Sequence, residues 1–543
     1  MLSGPVSASS ASLLSYLNTL VQVCPKSKYS KSIIAQAIAL GVVGLYLYNN
    51  LVPPAKLRQY PSINPFKYLY HILTGTDGFR YARDLVVPVV RDRKAKAYVT
   101  KFPSYWTVNI VDPVAAKALL MKYEQVPKSL KVLHKLNNSH PFVRFVGHEN
   151  AFFSIGDVWK AQRRILNPAF RRTIPVALFG KLTQKAFEKI DAEPKGSPAA
   201  IVQVFDRMML DMLALGLYSI DFQALDNGHG SEWLKPYDSI RKVLREHPVI
   251  FFLPRLENWL MHFLPSRKRL AQDVNFLNAK FADITGKRRQ EIRERMLAEG
   301  TSRDIIDDES IKDMLTRVIE AELQGAKGLD SPELLRSNIA LFFFAGQESN
   351  VNSLAFTLYN LATHPDIQER ARQEALRVLG SEPTDIRPTP EQCKEFTYID
   401  MVIKENLRLY PPSAVIAPRR ATQDILLGDV FVPKGTEVNI DINVLHRHPD
   451  IWPDPERFDP ERFADNGKSR AHEGLAWIPF GNGGRQCIGM NFSLAVQRTV
   501  LSMFLRRYNI TLPSDSHYRD GIPVNFGGAF APEDLTLCFE RRY

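Results

Sequence analysis

The stretch that most constrains this chain is Phe480-Gly-Asn-Gly483-Gly484-Arg485-Gln486-Cys487-Ile488-Gly489. Glycine lets a backbone approach a neighbour or a ligand more closely than any side chain allows. Here glycines crowd both sides of one cysteine. Backbone N–H groups held near a sulfur stabilise its thiolate and tune its donation to a metal. Arg485 adds a cation two residues away, of the kind that lowers a thiol pKa and binds a carboxylate. A helix from Met490 to Phe504 would present its positive end to the same sulfur. The alternative reading, a buried cysteine in a glycine-rich turn, leaves Arg485 and the glycine spacing without a purpose.

The other three cysteines, Cys24, Cys393 and Cys538, are scattered without a Cys-x-x-Cys pair. This argues against a disulfide framework and a structural zinc site. The net charge of +12 favours an acidic partner or an anionic membrane face. Neither a Cys/His finger nor a basic stripe interleaved with aromatics is present, so nucleic acid is not an expected partner.

No Asp or Glu precedes Asp77. After a tail over residues 1–32, an apolar run over 33–52 reaches the length of a membrane span, with Tyr46 and Tyr48 suited to an interfacial belt. Pro53-Pro54 then stops the helix, and 53–58 reads as a hinge. Lys26, Lys28 and Lys31 precede the run while Lys56, Arg58 and Lys67 follow it, so charge gives no orientation. A mitochondrial presequence would need arginines in an amphipathic pattern, but none precedes Arg58.

From Gln59 to Tyr543 the chain reads as one large, mostly helical domain without repeats or flexible linkers. The longest helix is predicted from Ser331, as N-cap, to Thr363, stopped by His364-Pro365. Val351, Leu354, Leu358 and Leu361 lie along one stripe of it. Its middle holds Phe342-Phe343-Phe344-Ala345-Gly346-Gln347-Glu348-Ser349, where a small pair admits a flat ligand and an acid and an alcohol follow. A second helix, Tyr398 to Tyr410, carries Glu405 and Arg408 on one side. That side continues the stripe of Met401 and Val402, so the pair is expected to be buried and to need a third partner; Arg462 is the candidate.

Together these segments resemble the cytochrome P450 family. The loop is similar to the family pattern Phe-x-x-Gly-x-Arg-x-Cys-x-Gly at Phe480, Gly483, Arg485, Cys487 and Gly489. Glu405, Arg408 and Arg462 match its Glu-x-x-Arg helix and that helix's third member. The central helix resembles the oxygen-binding helix at Ala345, Gly346 and Glu348, with Ser349 where the family usually has Thr. Trp159 and Arg163 resemble a propionate-contacting pair, and Arg419 is similar to a further propionate-binding arginine. The anchor and hinge resemble membrane-bound eukaryotic members of fungal type.

The resemblance implies a mainly α fold with a small β region and a long central helix over a haem b whose iron Cys487 ligates. Glu348 and Ser349 are its implied proton relay. Phe480, Gly483, Arg485, Gly489, Trp159, Arg163, Arg419, Ala345 and Gly346 are its implied cofactor contacts. It implies insertion of one oxygen atom from O2 into a lipophilic substrate with NADPH-derived electrons. The expected partners are NADPH–cytochrome P450 reductase, cytochrome b5 and membrane lipid, and the expected location is the endoplasmic reticulum membrane with a cytosolic catalytic domain. A reductase-independent isomerase or dehydratase and a non-catalytic haem protein are the alternatives. Pocket walls are expected from Phe343, Phe344, Ala345, Val415, Ile416 and residues 526–530, with Lys128 to Phe152 as a loop over the haem.

Overall fold

The central helix sets the architecture. In the computed structural model it runs Pro332–Thr363, 32 residues, or about 48 Å at 1.5 Å per residue. The structure describes residues 51–543 apart from 65, 68–69, 72–77, 103–104, 131–139, 173, 195, 228–230, 247–258, 261–262, 299–311, 329–330, 466, 468–472, 520 and 523–533. Of the first fifty it describes 41, 44 and 48, so the expected anchor lies almost wholly outside the described residues. Among the described residues no helix is long and apolar enough to cross a membrane.

The helices that build the site are α1 (Pro113–Met121), α2 (Pro141–Val146), α3 (Gly156–Arg172), α4 (Val176–Asp191), α5 (Ile201–Tyr218), α6 (Leu234–Glu246), α7 (Pro265–Ala298), α8 (Met314–Leu323), α9 (Pro332–Thr363), α10 (Pro365–Leu379), α11 (Tyr398–Leu409) and α12 (Met490–Arg507). A mixed sheet has the order β1 (Ala97–Phe102), β2 (Tyr105–Ile110), β6 (Glu437–Ile440) and β3 (Arg419–Arg420). In it β1 and β2 form a hairpin with Phe102 opposite Tyr105, and β6 runs parallel to β2 with Val438 opposite Val108. Two-stranded ribbons pair β4 (Ile425–Leu427) with β5 (Val430–Val432) and β7 (Tyr508–Thr511) with β8 (Cys538–Arg541). The sheet has its own core of Val99, Val108, Ile110, Val438 and Ile440 with Leu119 and Leu120 of α1. A larger helical core surrounds α9.

Helix α9 is buried on every side, not along one stripe. Such a helix belongs in the middle of a large protein. Its polar side chains are therefore paired across helices. Asn338 reaches Gln162 of α3 at 3.2 Å, Ser353 donates to Gln497 of α12 at 2.8 Å, and Asn360 donates to Asn406 of α11 at 3.0 Å. These bonds fix the rotation of α9 about its axis, which decides which residues face the site. Ser331 occupies the N-cap position in extended conformation without a side-chain cap bond, so the start of the helix rests on Pro332 and the Leu335 N–H to Ser331 C=O bond of 3.1 Å.

The Glu405–Arg408 pair is fully buried. Arg408 forks onto Glu405 with two 2.8 Å bonds and donates to the His446 carbonyl at 2.7 Å. Arg462 completes the group, 3.4 Å from Glu405 and bonded to the Pro453 and Asp454 carbonyls.

Candidate active site

The cysteine loop is held by its backbone. Cys487 N–H donates to the Phe480 carbonyl at 2.9 Å and Gly481 N–H to Ile478 at 3.0 Å. Gly483 adopts φ +67°, and a Cβ there would sit 2.9 Å from the Leu120 carbonyl of α1, so the position needs glycine on both counts. A Cβ at Gly489 would stand 4.0 Å from Cys487 Sγ, and α12 begins at the next residue. The sulfur therefore sits at the junction of loop and helix N-terminus, as expected.

Cys487 is surface-accessible, yet burial dominates its thiol and pushes its pKa up against the Gly489 N–H and Arg163, which pull it down. The two facts agree if the sulfur opens onto an internal space. Ala345 is exposed in the same sense, although Phe342, Phe343, Gln347 and Asn350 around it on α9 are buried. Arg485 does not act on the thiol as the spacing suggested. It lies 3.8 Å over the buried Trp159 ring and donates to the Ser154 carbonyl at 2.8 Å. Arg163 takes its place beside the sulfur, donating to the Gln486 carbonyl at 2.9 Å.

Arg163, Arg419 and Arg485 converge, and a fourth cation joins them. Lys128 forms a β-bridge with Arg419 and donates to the Phe152 carbonyl at 2.8 Å. Burial and the Arg485, Arg419 and Arg163 charges push the Lys128 ammonium well down. Burial, followed by Arg419 and Arg163, pushes Arg485 down to about 9, and burial alone takes Arg419 down to about 10. Among the described residues none of the four has a carboxylate partner. The buried Nε atoms of Arg163 and Arg419 have no hydrogen-bond acceptor among the described residues. Four desolvated cations without an acid are strongly destabilised unless an anion joins them. The donor set thus fits a flat group with two carboxylates whose metal meets a cysteine, which is the chemistry of haem. Lys128 escaped the sequence reading because its partner Arg419 is remote in the chain.

On α9, Ser349 Oγ donates back to the Ala345 carbonyl at 2.7 Å, and Asn350 does the same to Gly346. Glu348 is half-buried and has no hydrogen-bond or ion-pair partner among the described residues. A Cβ at Gly346 would lie 3.0 Å from Leu213, so a larger residue there would press on α5. One expectation needs correction. Phe343 is no pocket wall. It is buried against Phe222, Tyr237 and Phe281 at 4.9–6.1 Å, because the rotation of α9 turns it away. Phe344, stacked edge-on with Phe142 of α2, stands beside Ala345 instead. Val415 is exposed and Ile416 half-buried, while residues 526–530 lie outside the described part. Phe480 and Gly483 serve the loop as described. An open cleft of about 550 Å³ lined by Phe66, Tyr70, His71, Arg80 and Asp84 shares none of these residues.

Comparison with known proteins agrees with this geometry. The cytochrome P450 family model matches residues 87–539. The chain is 28% identical over 486 residues to cytochrome P450 3A29 of Sus scrofa, covering 87% of this chain and 90% of that protein. It is 32% identical over 390 residues to cytochrome P450 4F4 of Rattus norvegicus, covering 68% and 70%. Among solved structures, the cytochrome P450DA heme domain superposes with a TM-score of 0.70 at 22% identity, covering 89% of this chain and 98% of that one. A cysteine loop at a helix N-terminus, with Arg163 beside its sulfur in a cluster of cations that lack a carboxylate partner among the described residues, fits a haem-thiolate protein. The chain belongs to the cytochrome P450 family and is a monooxygenase.

Lys128→Gln is expected to keep the fold and weaken haem retention. Losing one charged hydrogen bond corresponds to about a tenfold faster release. Haem transfer to apomyoglobin measures it, and an unchanged rate would remove Lys128 from the cofactor site.

Proposed function

We propose that this enzyme hydroxylates or epoxidises a lipophilic substrate, of steroid, terpenoid, fatty-acid or secondary-metabolite type, using electrons from an NADPH-dependent reductase. The balance is one O2, one NADPH and one proton in, one oxygen into product and one into water. Cys487 supplies the thiolate ligand, and Arg163, Arg419, Arg485 and Lys128 hold the propionates. Haem, when bound, supplies the reduction of O2 and the oxygen transfer. One turn of α9 carries the observation that favours this reading: an open apolar Ala345, a Ser349 hydroxyl and an unpaired Glu348. A rearrangement or dehydration without external electrons has no need of two delivered protons. Glu348 takes protons from the solvent side; Ser349, whose own hydrogen points back to Ala345, keeps its oxygen lone pairs free to accept one. Phe344, Phe142 and Ala345 shape an apolar wall that excludes water.

The test is a screen of lipophilic compounds for displacement of iron-bound water, followed by O2 uptake and product analysis of each hit with and without reductase. Product formed only with reductase supports monooxygenation; conversion without reductase and O2 would point to the isomerase or dehydratase alternative.

We assign residues 33–52 to a membrane anchor, 53–58 to a hinge and 59–543 to the catalytic domain, facing the cytosol from the endoplasmic reticulum. Removing residues 1–52 is expected to move protein toward the soluble fraction with haem retained. Some membrane affinity should persist, because Trp259 and Phe263 are 57% and 63% exposed. Haem loss on truncation would place the segment in the core instead.

A reductase, with or without cytochrome b5, would dock on the basic face of α3. Lys160 is tied to Glu124 at 2.7 Å, while Arg164 and Arg171 are exposed cations of the same helix. Reversing both to Glu is expected to slow first-electron transfer about tenfold at low salt and to flatten its salt dependence. Unchanged rates would move the docking face elsewhere.

A further inference from the structure

Behind the proton-relay turn lies a buried polar cluster that the reaction as described does not use. Gln347, next to Glu348 on α9, is wholly buried. Its Nε2 donates to one oxygen of Asp206 on α5. Arg241 of α6 donates to the other oxygen at 2.8 Å and lies 5.7 Å over the ring of Tyr237, one turn earlier. Asp206 and Arg241 side chains are only 13% and 12% exposed. One carboxylate thus ties α5, α6 and α9 together.

Charge balance does not require the glutamine. Arg241 faces Asp206 at 2.8 Å and Asp238 at 3.8 Å, and Arg207 pairs with Asp238 at 3.0 Å. Two guanidiniums already meet two carboxylates. A buried amide is costly where a leucine would continue the apolar surface. The Gln347–Asp206 bond therefore has to do something besides neutralise charge. It also leaves work undone: Gln347 Oε1, Arg241 Nε and Tyr237 OH are buried without a partner among the described residues. Three such atoms around one carboxylate are sites for ordered water. Burial disfavours the Arg241 cation, but Asp206, Tyr237 and Glu348 outweigh it and hold the pKa above the usual range. Glu348 lies within electrostatic reach of Arg241 and Tyr237 alike.

We propose that Asp206 is a positioning residue for oxygen activation. Acting through Gln347 it fixes the turn of α9 that carries Glu348 and Ser349, and through Arg241 it keeps a cation and ordered water behind the Glu348 carboxylate. Glu348 and Ser349 would handle the protons; Asp206, Gln347 and Arg241 act through them. The inference rests on the reading of Glu348 and Ser349 as the proton relay.

The test uses haem-loaded enzyme with reductase, NADPH and O2 and no organic substrate. Imperfect proton delivery shows as a larger fraction of consumed O2 released as hydrogen peroxide and a smaller fraction reduced to water. Hydrogen exchange of the backbone over residues 344–350 gives a second readout that does not depend on turnover. Asp206→Leu and Gln347→Leu are expected to raise the peroxide fraction about threefold and to speed exchange over that turn, with haem content unchanged. Gln347→Leu leaves the Arg241–Asp206 pair intact, so it carries the test if Asp206→Leu folds poorly. If Glu348→Gln raises the peroxide fraction and Gln347→Leu moves neither readout, the positioning role is wrong and the relay stands. If Glu348→Gln leaves the fraction unchanged, the relay itself is wrong and the inference falls with it.

Discussion

Cys487→Ser is expected to abolish the thiolate-type spectrum and the oxygen-dependent activity while leaving the protein folded. The loop does not depend on the sulfur for its shape. Its form rests on the Cys487 N–H to Phe480 carbonyl bond and on the left-handed backbone of Gly483 against Leu120. Serine is close in size, so neither is disturbed. The sulfur matters for its electrons. Burial favours the neutral thiol, against which the Gly489 N–H and Arg163 work. A coordinating thiol is deprotonated outright, and these same two groups then stabilise the anion. An alcohol is too weak an acid to follow. Removing the charge that drives the bond-breaking step corresponds to a loss of about a hundred- to a thousandfold or more. The ferrous–CO band checks it directly: it should leave its long-wavelength position in Cys487→Ser. A variant that kept that band would mean that another residue binds the iron.

What could be read from the sequence was what the chain writes locally. Pro332 and the His364-Pro365 stop bound α9, and glycine spacing around Cys487 marks a loop that must approach a ligand. Both signals sit within a few residues of what they determine. The rotation of α9 was not readable. A helix buried on all sides has no polar face to orient it, so the stripe of Val351, Leu354, Leu358 and Leu361 could not tell that Phe343 and Gly346 turn toward α5 and α6. That rotation is set by Asn338, Ser353 and Asn360 bonding to three other helices. The cation cluster was half readable for a related reason. Arg163, Arg419 and Arg485 lie in recognisable patterns, but Lys128 enters only through its bridge to Arg419.

Glu405→Ala is the substitution expected to cost the most stability, and it should do so through the cysteine loop. Glu405 accepts two bonds from Arg408 and one from the Asp459 N–H at 2.9 Å, with Arg462 3.4 Å away. Burial pushes its carboxyl up, and those four contacts work against it. Alanine would leave Arg408, wholly buried, with carbonyl acceptors and no anion. Breaking a buried pair from one side costs about 3–5 kcal/mol. A protein's whole stability is about 5–15 kcal/mol, so about a fifth or more of it is at stake. The damage does not stay at α11. The His446 carbonyl accepts from Arg408, and its ring, held neutral with a pKa near 3 by burial and then by Arg408, accepts the Ile478 N–H on Nε2 at 3.0 Å. Nδ1 therefore carries the hydrogen and faces the Arg408 carbonyl at 3.2 Å. Ile478 stands two residues before Phe480, whose carbonyl holds Cys487. One chain of bonds thus runs from Glu405 to Cys487, the proposed iron ligand. Glu405→Ala should lower the denaturation midpoint and leave little haem-loaded protein, whereas Glu405→Gln, which keeps one acceptor oxygen, should fall between. Normal haem content and an unshifted midpoint in Glu405→Ala would show that the loop holds its shape without this network.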